Sequence, residues 1–407
     1  MDSRDPEQLA LLLVQQFLRE QGYESALNAV EKESKSKYME AKLSRGSMLL
    51  EMVYTHIEAE LSKEEDPEAA ANKALAAEEE RLLQGGRNDY PAALACTIRD
   101  LHPANIISVT CWPDRPQVVT GSGDSVVRLI THGGDVVWQT KKVSMGGVLC
   151  LALSPPAPST TRPPQLLVGW MDGTVALLNA ATGELQHAAR PHRKYAIRLR
   201  WTRDGSHFLS ASWDGSLALH HCSEGGGAAF STPTTLPYAT AVHDVEVLPD
   251  GHTAVASVRD SNYLRLISLP ELTETDRVNM NAKGDDHVSF SATALEVSPC
   301  QQYLLVCTDG PRLLMLSIQG WRQVRNFYGL AVEKFHQPSA AWHSSGHYIL
   351  AAAAAGWVYI FHVGSAKLVH KFKAHESNTR GLSYDPQLNT LATCSFDKTV
   401  KIYAQAA

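Results

Sequence analysis

The segment Leu382-Ser-Tyr-Asp-Pro-Gln-Leu-Asn-Thr-Leu-Ala-Thr-Cys-Ser-Phe-Asp-Lys-Thr-Val-Lys-Ile-Tyr403 can be laid over at least six earlier stretches of this 407-residue chain. Each copy reads as an alternating apolar strand, a polar turn, a second apolar strand, a tight turn that usually carries Asp, and a third strand. A period of about 40 residues with this pattern marks a repeat architecture whose units cannot bury their apolar faces alone. Short antiparallel strands solve that problem by radial stacking, so the fold class is mainly β, a propeller. Seven units can be placed, with turns at Asp124, Asp172, Asp214, Asp260, Asp309, Gly356 and Asp397. The third strands follow at Val126 to Ile130, Val175 to Leu178, Leu217 to His220, Leu264 to Ile267, Leu313 to Leu316, Val358 to Phe361 and Val400 to Tyr403.

The last unit stops after its third strand. The apolar stretch 92–99 stands where an outer strand should precede the first unit, and pairing it with the last blade closes the ring. Closure removes an edge that invites aggregation. The longest apolar run, Tyr348 to Phe361, is too short to span a bilayer. Its central Gly356 reads as a turn between two strands. Three segments result: a helical motif over 1–39, a helical acidic spacer over 40–90, and the propeller over 91–407.

In the first segment, Asp5 can cap a helix, Pro6 suits its first position, and Gln8 can close a capping box. The helix runs Leu9 to about Glu20, Gly22 terminates it, and a second helix covers about Tyr23 to Ser34. Leu13, Phe17, Leu18, Tyr23, Leu27 and Val30 are too many large apolar groups for an isolated helical pair. Self-association hides them, and a two-fold dimer is the commonest form. Phe17-Leu18, Gly22-Tyr23, Ser25-Ala26, Val30 and Glu33 resemble the LisH motif, with Phe17 in place of its Tyr and Ser25 in place of its Thr. The resemblance implies a homodimerising module. Beyond it, residues 47–63 read as an amphipathic helix of about two heptads, and Asp66-Pro67-Glu68 starts an Ala- and Glu-rich helix ended by Gly85-Gly86.

The repeats resemble WD repeats over about 92–403. The third and seventh are the best copies: His192, Ser212 and Asp214, and again His375, Ser395 and Asp397, match that family's buried hydrogen-bond network. The Trp that ends the third strand of such repeats is absent, and His220 and Tyr403 take its place in the two best copies.

Composition narrows the function further. Residues 1–90 hold 19 acidic and 11 basic side chains, and the remainder 24 and 26. A nearly neutral propeller with an acidic N-terminal segment lacks the basic excess of a general nucleic-acid binder, so nucleic acid is an unlikely partner and no membrane is expected. Seven scattered cysteines without a CxxC pair read as reduced thiols of a cytoplasmic or nuclear protein. The recurring Ser, His and Asp occupy repeat positions, which argues against a catalytic triad. No GxSxG, P-loop, HExxH or zinc spacing appears, so no enzyme activity, metal or cofactor is expected.

In WD-repeat propellers the residue before the turn Asp tends to lie on the narrower top face. Carried over, these positions are Gly123, Met171, Trp213, Arg259, Thr308, Ala355 and Phe396. Trp213, Arg259 and Phe396 are residue types common at interfaces. Trp213 and Phe396 could equally cover the ends of the core. Arg190, Arg193 and Lys194 fall in the loop before the third blade, with Arg198 and Arg200 on the strand after it. They form either a patch for acidic or phosphorylated protein segments or a scattered set of solvated charges. The Gly-, Thr- and Pro-rich stretch Ser223 to Tyr238 reads as a mobile surface loop.

The expected function is a non-enzymatic dimeric scaffold that binds partner proteins through the top face. The alternative is a substrate-reading or structural subunit of an enzyme complex, such as a ubiquitin ligase or a chromatin or transcription regulator. The order of segments resembles the lissencephaly-type dynein regulators and also the LisH/WD subunits of splicing, corepressor and ubiquitin-ligase complexes.

Overall fold

The computed structural model describes residues 6–37, 49, 53, 88–155, 163–222, 229–269, 271–281, 284–333 and 338–405. The chain divides into an N-terminal unit, Met1–Glu80, and a second unit, Arg81–Ala407.

The first unit contains helices α1 (Pro6–Glu20) and α2 (Glu24–Ser34). Gly22 takes a left-handed φ of +77°. This lets the Tyr23 N–H donate to the Leu18 carbonyl at 2.8 Å and the Gly22 N–H donate to the Arg19 carbonyl at 3.1 Å. That bond pair satisfies the orphan carbonyls of a glycine-capped helix end. The buried Gln15 amide donates to the Ser36 carbonyl at 2.9 Å, tying α1 to the residues after α2. Leu13 and Leu27 are buried, Phe17, Leu18 and Val30 half-buried, and Tyr23 exposed. The expected Asp5 cap and the helical spacer lie outside the described residues, apart from the helical Leu49 and Val53 and residues 88–90.

The second unit is a ring of seven four-stranded antiparallel sheets. The innermost strands are Ile106–Cys111, Val148–Leu153, Ala196–Trp201, Val242–Val247, Ala292–Val297, Ser339–Trp342 and Thr379–Asp385. Strand Pro91–Ile98 pairs antiparallel with Val400–Gln405, setting Ile98 opposite Val400 and Leu94 opposite Tyr403, so the seventh blade takes its outer strand from the start of the propeller. The approach to this strand is anchored on blades seven and six. The Asn389 amide donates to the Asp89 carbonyl at 2.6 Å, and the Asn88 N–H donates to the Tyr348 hydroxyl at 3.2 Å.

Radial packing dictates residue size near the axis. One position of the second strand faces the innermost strand of the next blade, and it is Gly121, Gly169, Ala211, Ser257, Cys307, Ala352 and Cys394 in blades one to seven. A Cβ on Gly121 would come within 2.4 Å of Val148 in blade two. Small side chains are therefore obligatory where strands of adjacent blades converge. Farther out, Leu, Val, Ile and Phe fill seven inter-blade clusters. Each such side chain fully buried contributes about 1.5–3 kcal/mol. Indoles stitch blade to blade: the Trp201 N–H donates to the Ala152 carbonyl at 3.1 Å, and that of Trp342 to the Glu296 carbonyl at 3.3 Å.

The stretch expected as a mobile loop after Ser223 is partly structured instead. Thr234–Pro237 is the outer strand of blade three. Phe230 is buried, edge-on to Phe208 and to His220 at 5.2 Å. Phe230, with Leu236 and Tyr238 packed on the neighbouring core, anchors this Gly-, Thr- and Pro-rich run.

Candidate partner-binding face

The face lies where the innermost strands begin and the second strands end. Beneath it, three blades carry a buried polar network. In blade seven His375 Nδ1 is 3.0 Å from Asp397, and Nε2 is 2.8 Å from the Thr393 hydroxyl. Blade three places His192 Nε2 2.8 Å from Ser210 and Nδ1 2.7 Å from Ser216, whose hydroxyl donates to Asp214. His192 itself stands 3.8 Å from Asp214. With Ser216 donating to Asp214, Nδ1–H must donate to Ser216, and Nε2 accepts from Ser210. Ser210 in turn lies 2.9 Å from His220 Nε2, so His220 occupies the place expected for the missing Trp. Its ring stacks on Phe208 at 4.3 Å. In blade seven the Tyr403 hydroxyl donates to the Ala374 carbonyl at 3.3 Å.

The sequence reading put Ser212 and Ser395 in these networks. The structure corrects this. Ser212 donates to the Lys194 carbonyl at 3.4 Å and Ser395 to the Asn378 carbonyl at 2.9 Å, and each accepts the turn Asp N–H. They fasten the loop that enters the blade, while the histidine's partners, Ser210 and Thr393, lie two residues earlier. Side chains alternate along a strand, so these hydroxyls share a face, and spacing alone did not choose between them.

Blade one holds a third network that sequence reasoning missed: His102 lies 3.0 Å from both Asp124 and Thr120. The signal was present, because His102 and Asp124 are 22 residues apart, as are His375 and Asp397. Burial pushes the His192 imidazole down to about 4, and it lowers His102 and His375 as well. Burial also acts to raise Asp397, but bonds from Thr399 and His375 outweigh it and hold the carboxyl below its usual range. The result is a neutral histidine against an ionised aspartate, a structural brace and not a proton relay.

Above these braces, Arg193, Lys194, Arg259 and Phe396 are exposed and Trp213 is half-buried. The backbone register places them at one end: the Trp213 N–H donates to the Tyr195 carbonyl, Arg259 to Ala241, Gly123 to Asn105 and Met171 to Gly147. By the same bonds the equivalent positions in blades five and six are Asp309, which donates to Ser291, and Ala354, which donates to Ala331. Thr308 and Ala355, expected there, are each offset by one residue because Asp309 sits one residue earlier in its turn than Asp124 or Asp214 does, and Gly356 one residue later. Thr308 is buried and donates to the Arg312 carbonyl at 2.6 Å. Tyr195 and Trp213 lie with ring centroids 5.6 Å apart, and Trp213 stacks on His243 at 6.3 Å. The Arg380 guanidinium lies 5.4 Å from the Phe396 ring centre. Met145, in the loop before blade two, is 92% exposed, and Met171 and Tyr195 are exposed too. Neither Met145 nor Tyr195 was singled out from sequence, since loop residues carry no periodicity.

The basic stretch splits. Arg193 and Lys194 stay on the surface, and Arg190 donates to the Asp172 carbonyl at 2.8 Å. Arg198 and Arg200 instead face the central channel. Arg198 pairs with buried Asp244 at 2.8 Å, while Arg200 pairs with Glu246 at 2.8 Å and Glu296 at 3.1 Å. These two are not part of a surface patch, because carboxylates of blades four and five neutralise them.

At the channel mouth six innermost strands carry a register shift, and a bulge redirects the extra side chain. The redirected residues are Ile107, Leu149, Ile197, His243, Thr293 and Arg380. With Pro338 of blade six they line a cavity of about 140 Å³. Among the described residues no cluster of three or more His, Cys, Asp or Glu could hold a metal ion, and no helix is long and apolar enough to cross a membrane. All seven cysteines are free thiols; burial pushes Cys111, Cys150 and Cys394 up to about 12. Such thiols are inert packing groups.

Known proteins agree with this geometry. Residues 183–221 and 366–404 match the family described as WD domain, G-beta repeat. Each match runs from the outer strand of one blade to the third strand of the next. The chain is similar to WD repeat-containing protein 90 of Mus musculus, with 25% identity over 120 residues, covering 30% of this chain and 6% of that protein. The protein of the same name from Xenopus tropicalis is 24% identical over 250 residues, covering 58% of this chain and 13% of that protein. The chain thus spans only a small part of these relatives' length. The two stretches that match the WD repeat, ending in blades three and seven, thus stand within a seven-bladed propeller formed by residues 91–405.

Proposed function

We propose that this protein is a dimeric scaffold whose propeller docks partner proteins on the face bearing Trp213 and Phe396. The observation that carries the platform reading is the concentration of Met145, Met171, Tyr195, Trp213 and Phe396 at one end of a WD-repeat ring, with Arg193, Lys194 and Arg259 among them. Aromatic, Met and Arg side chains are the types enriched at interface cores. The dimer reading rests on α1 and α2, which leave Tyr23 exposed and Phe17, Leu18 and Val30 only half covered. A second copy would bury them, and two linked propellers would gain avidity for a bivalent partner.

Light scattering on the full chain and on Phe17→Asp tests the dimer, since a charge is costly on a buried apolar face. A folded monomer from the variant and a dimer from wild type support it, and a monomeric wild type overturns it. Quantitative affinity purification with the double variant Trp213→Ser/Phe396→Ser tests the platform. Partners should be lost there and kept in Arg203→Ser, at the opposite end of blade three. Equal recovery from both variants would refute the choice of face.

A further inference from the structure

The channel mouth is unbalanced in charge and in hydrogen bonding. Arg198 is neutralised by Asp244, whose two oxygens also accept the Val245 and Leu295 N–H groups at 2.7 and 2.9 Å. Arg380 has no carboxylate within 4.0 Å among the described residues, and its buried Nε lacks a hydrogen-bond partner there. Burial without a counter-charge lowers its pKa. Ser108, Thr293 and Ser339 line the same cavity, and their hydroxyls are buried and unpaired among the described residues, that of Ser108 turned toward Gly121 and Val148 between blades one and two. Unpaired buried polar groups are rare and each needs a reason. Here three, those of Thr293, Ser339 and Arg380, converge on one space from blades five, six and seven. The rest of the wall includes Ile107, Leu149, Ile197 and Pro338.

One uncompensated cation, two unspent hydroxyls and a set of apolar lining residues suit a single negative charge on a short hydrocarbon stem. A phosphate carries a charge of about −1.5 to −2 near neutral pH and would leave part of it unmatched by a single guanidinium. Asp offers one methylene fewer to lay against the Ile107 and Ile197 side of the rim. We propose that the channel mouth is a socket for a glutamate side chain of a partner polypeptide. Its carboxylate pairs with Arg380 and accepts from Thr293 and Ser339, and its methylenes lie on the apolar wall. This inference rests on the platform reading for the partner's origin, but the socket can be tested alone.

The test is nitrogen-15 NMR of the arginine Nε–Hε groups of the full chain, titrated with acetyl-Gly-Glu-Gly-amide and with its Gln and phosphoserine counterparts. The Arg380 signal should move saturably with the Glu peptide, and the Gln peptide should bind about tenfold or more weakly. The phosphoserine peptide should also bind more weakly than Glu. Arg380→Gln should abolish the response seen at the remaining channel groups. Thr293→Val, which removes one hydroxyl and keeps the shape, should weaken Glu binding about threefold and serves if Arg380→Gln does not fold. Equal binding of Glu and Gln peptides, tighter binding of phosphoserine, or no saturation overturns the socket. If Trp213→Ser/Phe396→Ser loses partners while the Glu peptide has no effect, the platform stands and the socket falls. Saturable Glu binding with partner capture indifferent to the face variants gives the reverse.

Discussion

Blades one, three and seven differ from the other four at one buried position of the second strand. It is Thr120, Ser210 and Thr393 in the first group, and Val168, Ala256, Val306 and Ala351 in the second. A hydroxyl occurs only where a histidine from the entering loop reaches it: His102, His192 and His375. All seven positions are buried. The same architecture is thus held in two ways, by a closed polar brace or by apolar packing, with no mixed form. The reason is energetic asymmetry. A brace gives both nitrogens of its loop histidine a partner, whereas a lone buried hydroxyl or imidazole costs more than the apolar alternative.

Removing the centre of a brace should have the largest effect. His375→Ala leaves the Thr393 hydroxyl short of its histidine partner, strips Asp397 of a donor and opens a cavity in a fully buried site. The expected loss is about 3 kcal/mol in urea-unfolding stability. A loss under about 1 kcal/mol would mean that the brace is ornamental to blade seven and that apolar packing holds all seven blades alike.

This division explains what could be read from the chain alone. The turn Asp residues and third strands of blades one to three and seven were legible because Asp at the turn is fixed by its own backbone bonds, as Asp214 accepting from Ser216 shows. In blades five and six those turn bonds are made differently, so Thr308 and Ala355 were each placed one residue off. The seven strand triplets were visible because their periodicity is set by burial on both faces. The bulge ring was not visible, because a bulge breaks the alternation on which strand reading depends. For the same reason Arg198 and Arg200 read as surface charge, since their partners Asp244, Glu246 and Glu296 lie on other blades, 46 to 96 residues away. Ion pairs between repeats leave no local trace in sequence.

Mixing the two solutions should be costly in the other direction. Val306→Thr places a hydroxyl of nearly the same volume in blade five, among Leu295, Leu304 and Leu314. No histidine stands above it to receive the new group, and the third-strand carbonyl that Thr120 and Thr393 reach in their own blades is a long contact, at 3.3 and 3.4 Å. The expected loss is about 2 kcal/mol by the same unfolding measurement, with packing otherwise preserved. A neutral substitution would show that buried hydroxyls in this ring find backbone acceptors unaided, and the all-or-none reading of the braces would fail.

The smallest expected effect is a pH dependence confined to the braced blades. Burial lowers His192 from its usual range to about 4, so the native state holds fewer protons than the unfolded chain below about pH 6.5. Its contribution is fully present above the unfolded pKa and is lost as pH falls from there toward the folded value. Between about pH 7.5 and about pH 5.5 the loss from this one residue is about 1 kcal/mol. His192→Gln cannot titrate, so its stability should fall less steeply than wild type across that window, by about one proton's worth of slope. The comparison is between slopes and not between absolute stabilities, because the variant also weakens the brace. Parallel slopes would mean that the imidazole takes up its proton as readily in the fold as in the unfolded chain, and a steeper fall in the variant than in wild type would make Asp214, at 3.8 Å, a true ion-pair partner; either result overturns the neutral brace.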